Sequence, residues 1–137
     1  MLKGSGFKDN IRVEEGNNQR SVVLRIKEAN ISYSDSGVSL MTIPDGAKIA
    51  FIEIDVTTGF DGTDPTYDIG FAANPDALVD GVSLPSTAGR VTAEPPAATV
   101  SEWNGVTDGE LIGTFVGGGS NTAGAGVVKI GYYTDAE

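Results

Sequence analysis

The segment from Lys48 to Thr58 sets the tightest limit on what this chain can become. Ala50, Ile52, Ile54 and Val56 fall on one side of an alternating pattern, and Ile49, Phe51, Glu53, Asp55 and Thr57 fall on the other. Period two is the spacing of a half-buried strand, and β-branched side chains repeated at that spacing lose χ1 freedom in a helix. The first set is apolar throughout and is assigned to a core. The second is apolar at one end and acidic at the other, so its acidic end is expected at solvent.

Shorter runs of the same kind lie on both sides. From Ser21, Val22, Leu24 and Ile26 alternate with Val23, Arg25 and Lys27, and Ile31-Ser32-Tyr33 forms a second run. Ser34-Asp35-Ser36-Gly37 and Ile43-Pro44-Asp45-Gly46 are turn chemistry around an extended piece, Val38–Met41. Gly59 to Pro65 reads as a loop, and Thr66 to Ala72 as a strand with Tyr67, Ile69 and Phe71 on one face. Asn74 to Val79 predicts a capped helical turn, with Asn74 at the cap, Pro75 in the first position and Asp76 near the positive end. Pro85, Pro95 and Pro96 forbid a central strand between Val82 and Asn104, where Arg90-Val91-Thr92 is expected to pair briefly. Glu110–Val116 and Val127–Tyr133 are the last strands, joined by a Gly-rich segment, 117–126, expected to be a flexible hairpin loop.

About eight short strands and one helical turn predict an all-β chain, an antiparallel β-sandwich of jelly-roll type. With 137 residues there is room for one domain. Residues 20–137 are assigned to that sandwich and residues 1–19, poor in apolar groups, to an N-terminal arm or docking segment. Phe7, Ile11 and Val13 are the arm's apolar groups and its candidate docking residues. No leader-type apolar core is present near Met1, so synthesis in the cytoplasm without a signal peptide is expected. The longest apolar stretch, Ile49-Ala50-Phe51-Ile52, is far short of the roughly 20 residues of a spanning helix, so no membrane partner is expected.

Charge narrows the function. The chain has no histidine and no cysteine, which removes imidazole bases, thiolate nucleophiles, disulfides and ordinary zinc sites. The net charge of −10 makes phosphate backbones poor partners, so no nucleic acid is expected. That charge is unevenly divided. Residues 1–48 carry seven basic and six acidic groups, whereas residues 49–137 carry only Arg90 and Lys129 against thirteen acids. Ends of opposite character could attract other copies of the chain, and a plain solvated acidic surface is the competing reading.

Few residues read as sites. Asp61, Asp64 and Asp68 surround a Gly/Pro turn and are a weak candidate Ca²⁺ site, lacking the alternating oxygens and distal Glu of a calcium loop. Glu53 and Asp55 could be an acid–base pair for glycoside hydrolysis, but no neighbouring feature supports them. Trp103 sits in irregular sequence, where a rim or interface role is favoured slightly over packing. With Tyr133 it could form a sugar-stacking platform. Of Tyr132 and Tyr133, one should face the core and one outward. No catalytic residue and no cofactor is expected.

The ordered series Ile43-Pro44-Asp45-Gly46-Ala47, an alternating strand, Thr57-Thr58-Gly59-Phe60-Asp61-Gly62-Thr63, Pro65-Thr66, a strand, Asn74-Pro75-Asp76-Ala77-Leu78 and Ser86-Thr87-Ala88-Gly89 resembles small accessory virion proteins of tailed bacteriophages. The resemblance spans residues 43–90 and, more loosely, 110–133. It implies a β-sandwich that decorates heads, forms head fibres or sits on tails. The implied partners are the major capsid protein or another virion protein, together with copies of the chain itself, a trimer being the leading expectation. Capsid decoration is the first reading, and a carbohydrate-binding module for host attachment is the alternative. In the first reading the loops 59–65 and 117–126 project outward.

Overall fold

In a computed structural model that describes residues 22–134, the described residues form eight strands and one short 3-10 helix. In chain order they are β1 (Arg25–Ser32), β2 (Val38–Thr42), β3 (Lys48–Thr58), β4 (Thr66–Phe71), β5 (Asn74–Ser83), β6 (Gly89–Thr92), the 3-10 helix (Ala97–Asn104), β7 (Glu110–Val116) and β8 (Ala125–Tyr133). They form two antiparallel four-stranded sheets, ordered β1-β8-β3-β6 and β2-β7-β4-β5. Successive strands mostly change sheet, which is the double Greek key of a jelly roll. The predicted sandwich is the observed one.

β3 shows why the alternating sequence folds this way. It lies between β8 and β6. Ile52, Ile54 and Val56 point inward and are almost fully covered, each apolar side chain contributing about 1.5–3 kcal/mol by leaving water. The register against β8 shifts between Ile49 and Phe51. That bulge reverses the phase at the start of the strand, so Ile49 enters the core and Ala50, assigned there by alternation, is exposed. Tyr67 and Ile69 of β4, Leu78 and Val79 of β5, Leu111 of β7, and Val128, Ile130 and Tyr132 of β8 complete the core between the sheets.

The expected helical turn at Asn74–Val79 is wrong: these residues begin β5, hairpin partner of β4. The local cap signals are outweighed by burial of Ala77, Leu78 and Val79, of which Leu78 and Val79 join the core cluster while the 3-10 helix packs on β5. Pro75 is tolerated because β5 is a sheet edge. The helical element instead falls at Ala97–Asn104, just after Pro95 and Pro96. The two N-terminal runs also merge. β1 begins only at Arg25, and its core-facing residues are Ala29 and Ile31 rather than the Val22, Leu24, Ile26 series.

The Gly-rich segment is not a hairpin loop. β7 belongs to one sheet and β8 to the other, so residues 117–124 cross between layers. The crossing is bonded to the loop 59–65: Thr63 and Gly119 form an isolated bridge, Gly118 N–H donates to Thr63 O at 2.6 Å, and Asn121 Nδ2 donates to Asp61 O at 2.6 Å. Gly124 has positive φ, and a Cβ there would overlap the ring of Phe60, which stacks on Phe115 with centroids 5.8 Å apart.

Candidate docking surface

Of the acids singled out in the sequence, Glu53, Asp55, Asp61 and Asp68 have structural partners. Asp55 accepts from Arg90 Nε at 2.8 Å, and Lys129 Nζ lies 3.0 Å from its other oxygen; Glu53 is 3.8 Å from Arg90. Strand pairing explains the arrangement. Glu28 and Glu53 both stand opposite Lys129, and Asp55 stands opposite Arg90, so alternating charges cross the outer face of the first sheet. The two bases of residues 49–137 are therefore both engaged here. The hydrogen bond from Arg90, then that from Lys129, holds the Asp55 carboxyl below its ordinary value, and Asp55 raises both cations above theirs. Glu53 and Asp55 thus stand in an ion-pair ladder with Arg90 and Lys129.

The three aspartates around the Gly/Pro turn do not converge, and among the described residues no group of three acidic side chains could hold a metal. Asp61 accepts from Thr122 N at 2.7 Å, Ala123 N at 2.9 Å and Thr122 Oγ1 at 2.5 Å. These bonds, the Thr122 hydroxyl foremost, lower its pKa. Asp64 has positive φ in the turn. Asp68, on β4, accepts from Gly81 N at 2.7 Å. Its pKa is raised by burial first, the Gly81 bond opposing, with Asp76 and Asp80 adding like charge.

Trp103 is half-buried against the core, and its indole N–H donates to Leu78 O at 2.9 Å. Beside it Thr99 Oγ1 donates to Ala77 O at 2.8 Å. These two side chains bind main-chain carbonyls of the edge strand β5. Tyr132 is buried and Tyr133 follows it on the opposite, outer face of β8. Trp103, in the 3-10 helix, packs part of its indole against the core cluster. Phe7, Ile11 and Val13 lie outside the described residues.

The strongest surface feature lies in the alternating run that sequence periodicity read as a half-buried strand. Val22, Val23, Leu24 and Ile26 are 49%, 60%, 50% and 54% exposed. They run along the start of β1, an edge strand, with Tyr33 exposed beyond its end. Arg25 and Lys27 interleave with them and are exposed too, Lys27 Nζ donating to Thr42 O of β2 at 2.5 Å. A row of apolar side chains on an open sheet edge is a ready contact for another chain. Its only signal in the sequence is the alternation itself, which marks a strand but cannot say whether its apolar face is covered.

Asp35 also escaped the sequence reading beyond its place in a turn. Its carboxylate accepts from Ser32 N at 3.0 Å and from the hydroxyl of fully buried Tyr67 at 2.5 Å. This ties the β1–β2 connection to the core.

No protein-family model and no curated protein sequence matches the chain. Solved structures do. A chain of the cyanophage Pam1 capsid asymmetric unit is similar over 90% of this chain and 94% of its own, with a TM-score of 0.56 and 12% identity. A chain of the Ralstonia phage GP4 capsid matches over 92% of each, with a TM-score of 0.55 and 17% identity. One from the acid-stable capsid of Helicobacter pylori bacteriophage KHP30 matches over 87% of this chain and 99% of that one, with a TM-score of 0.52 and 12% identity. At these identities the likeness is one of fold.

Proposed function

We propose that this chain is a structural protein of a tailed-phage virion that decorates the capsid exterior, docking on the assembled shell through protein–protein contacts and acting as an oligomer. The observation that carries the reading is the whole-length likeness of fold to chains of three phage capsid structures. The surface chemistry supports it. Asp55, Asp61 and Asp68 serve ion pairs and main-chain bonds, and Val22, Val23, Leu24 and Ile26 are exposed together at the start of the edge strand β1, as a contact surface requires. Docking would stabilise the shell by mass action, because a ligand of the assembled state alone adds about 2.7 kcal/mol at a hundredfold excess over its Kd.

The test mixes purified chain with intact shells of the phage whose genome encodes it. Co-sedimentation at saturable stoichiometry, with added density on the outer surface in electron micrographs and raised shell melting temperature, is expected. Failure to bind shells, or binding to host glycans instead, overturns the reading.

A further inference from the structure

Two rows of side chains cross the outer face of the first sheet and run out at its open edge. In one, Phe51 of β3 stands opposite Gly131 of β8 and Gly131 opposite Ile26 of β1, with the Phe51 ring lying where a Cβ on the glycine would sit. In the other, Glu53, Lys129 and Glu28 follow one another with alternating sign. Among the described residues no strand pairs with the far side of β1, where both rows end. Val22 to Leu24 run on past Arg25, the first residue paired with β8. The free main-chain groups follow a set pattern. Tyr33 N–H donates to Gly124 O on the β8 side, whereas Ser32 N–H turns to the Asp35 carboxylate. By the alternation of an antiparallel strand, Leu24, Ile26, Glu28 and Asn30 direct their N–H and C=O groups to the open edge. These even-numbered residues also put their side chains on the outer face, while exposed Arg25 and Lys27 lie on the inner one with Ala29 and Ile31. A strand completing this edge needs an apolar residue opposite Ile26 and, two positions earlier in its own sequence, a cation opposite Glu28.

We infer that the completing strand is β1 of a second copy, run antiparallel about a two-fold axis at Leu24 so that the two first sheets become one. This deepens the decoration reading by naming how copies meet, and rests on it only for its setting. The sequence from Arg20 to Glu28 is its own complement in that register. Leu24 meets Leu24, Val22 meets Ile26, and Arg20, just before the described residues, comes opposite Glu28. The apolar row then continues from Ile26 to the second copy's Val22, and the charged row from Glu28 to the second copy's Arg20. Apolar pairs and opposite charges placed across two strands both favour their pairing. The inner-face cations choose among registers. An axis at Arg25 or at Lys27 sets that residue against itself, and an axis at Ile26 sets Arg25 on Lys27. An axis at Val23 sets Ile26 on Arg20. With the axis at Leu24, Arg25 stands opposite Val23 and Lys27 opposite Ser21. A two-fold contact of this kind uses the same patch on both copies and closes as a dimer.

The chain has no cysteine, so single introduced thiols report the register directly. The full chain is sized by light scattering over a concentration series. Full-length Val23→Cys, Leu24→Cys, Arg25→Cys and Ile26→Cys are oxidised in solution and resolved by non-reducing electrophoresis, with circular dichroism confirming the fold. Only the residue on the axis faces itself, and a hydrogen-bonded antiparallel pair holds its Cα atoms about 5.5 Å apart, within disulfide reach. Wild type is expected as a dimer that dissociates on dilution, and Leu24→Cys is expected to link about tenfold faster than the other three. Leu24→Lys, which sets an ammonium against its own copy, should weaken association about a hundredfold without changing the fold of the monomer. A wild type that stays monomeric throughout, one that forms a trimer or larger ring, or fastest linking at another of the four positions overturns the inference. A linked dimer that fails to bind shells would overturn the decoration reading alone, and a monomer that binds them would overturn the pairing alone.

Discussion

The two rims of this sandwich solve the same problem in different ways. Both end in edge strands whose outer main-chain groups have no neighbour in the sheet. At β5 the chain supplies its own cover: a 3-10 helix lies alongside, and Trp103 and Thr99 donate to the Leu78 and Ala77 carbonyls. At β1, among the described residues, Lys27 reaches inward to Thr42, and four apolar side chains at its start are exposed. The closed rim belongs to the folding of one copy. The β1 rim is left open by the described residues.

That contrast breaks if the two rims respond alike to truncation. Trp103→Ala should cost about 2–3 kcal/mol in denaturant unfolding, through lost packing and an unsatisfied Leu78 carbonyl. Leu24→Ser/Ile26→Ser should change monomer stability by no more than about 0.5 kcal/mol per site. Equal losses at both would show that β1 is covered within the single copy.

The open rim is still tied to the core where Tyr67 holds Asp35. Tyr67→Phe should lower stability by about 1–2 kcal/mol, leaving the Asp35 carboxylate short of one donor. Burial, and then the Asp35 hydrogen bond, raises the Tyr67 pKa above its ordinary 10.0. Its contribution is therefore complete below pH 10.0 and declines above it, as the unfolded chain ionises while the folded one does not. Unfolding followed up the alkaline range should show this decline in wild type and lose it in Tyr67→Phe.

A smaller effect belongs to the loops. Because its bonds depress the Asp61 pKa, Asp61 stabilises the crossing above the ordinary carboxylate value of 3.8, and that help is lost as pH falls through its lower folded value. Asp61→Ala should speed amide exchange at Thr122 and Ala123 near neutral pH while leaving β3 protected. If exchange is unchanged, the loops are held by Thr63 and Asn121 alone. The smallest effect is expected at the charge ladder. Asp55→Asn should lower the melting temperature slightly, and added salt should shrink the difference, since Arg90 is exposed and Lys129 partly so.

Much of the strand framework was legible because it rests on period two. β3 and β7 have the boundaries that alternation gives them, and β4 and β8 lie within two residues of theirs. Asn74–Val79 misled because helix capping and an edge strand share the same residues there, and only packing separates them. The Gly-rich crossing misled because glycine frees a backbone locally, while the donors and acceptors that bind it lie in the loop after β3. Of the candidate site residues, Trp103 could be named but its partner could not, since Leu78 comes from a distant strand.

The amino-acid order alone determined that this is an acidic, cysteine- and histidine-free chain of alternating strands, with its few cations mostly near one end, because composition and side-chain period need no partner to be read. Tertiary structure alone decided which apolar faces are buried, which acids meet a base, and which edge stays open. Those outcomes depend on strands far apart in the chain being brought side by side, and a residue's own neighbours in sequence exert no control over that.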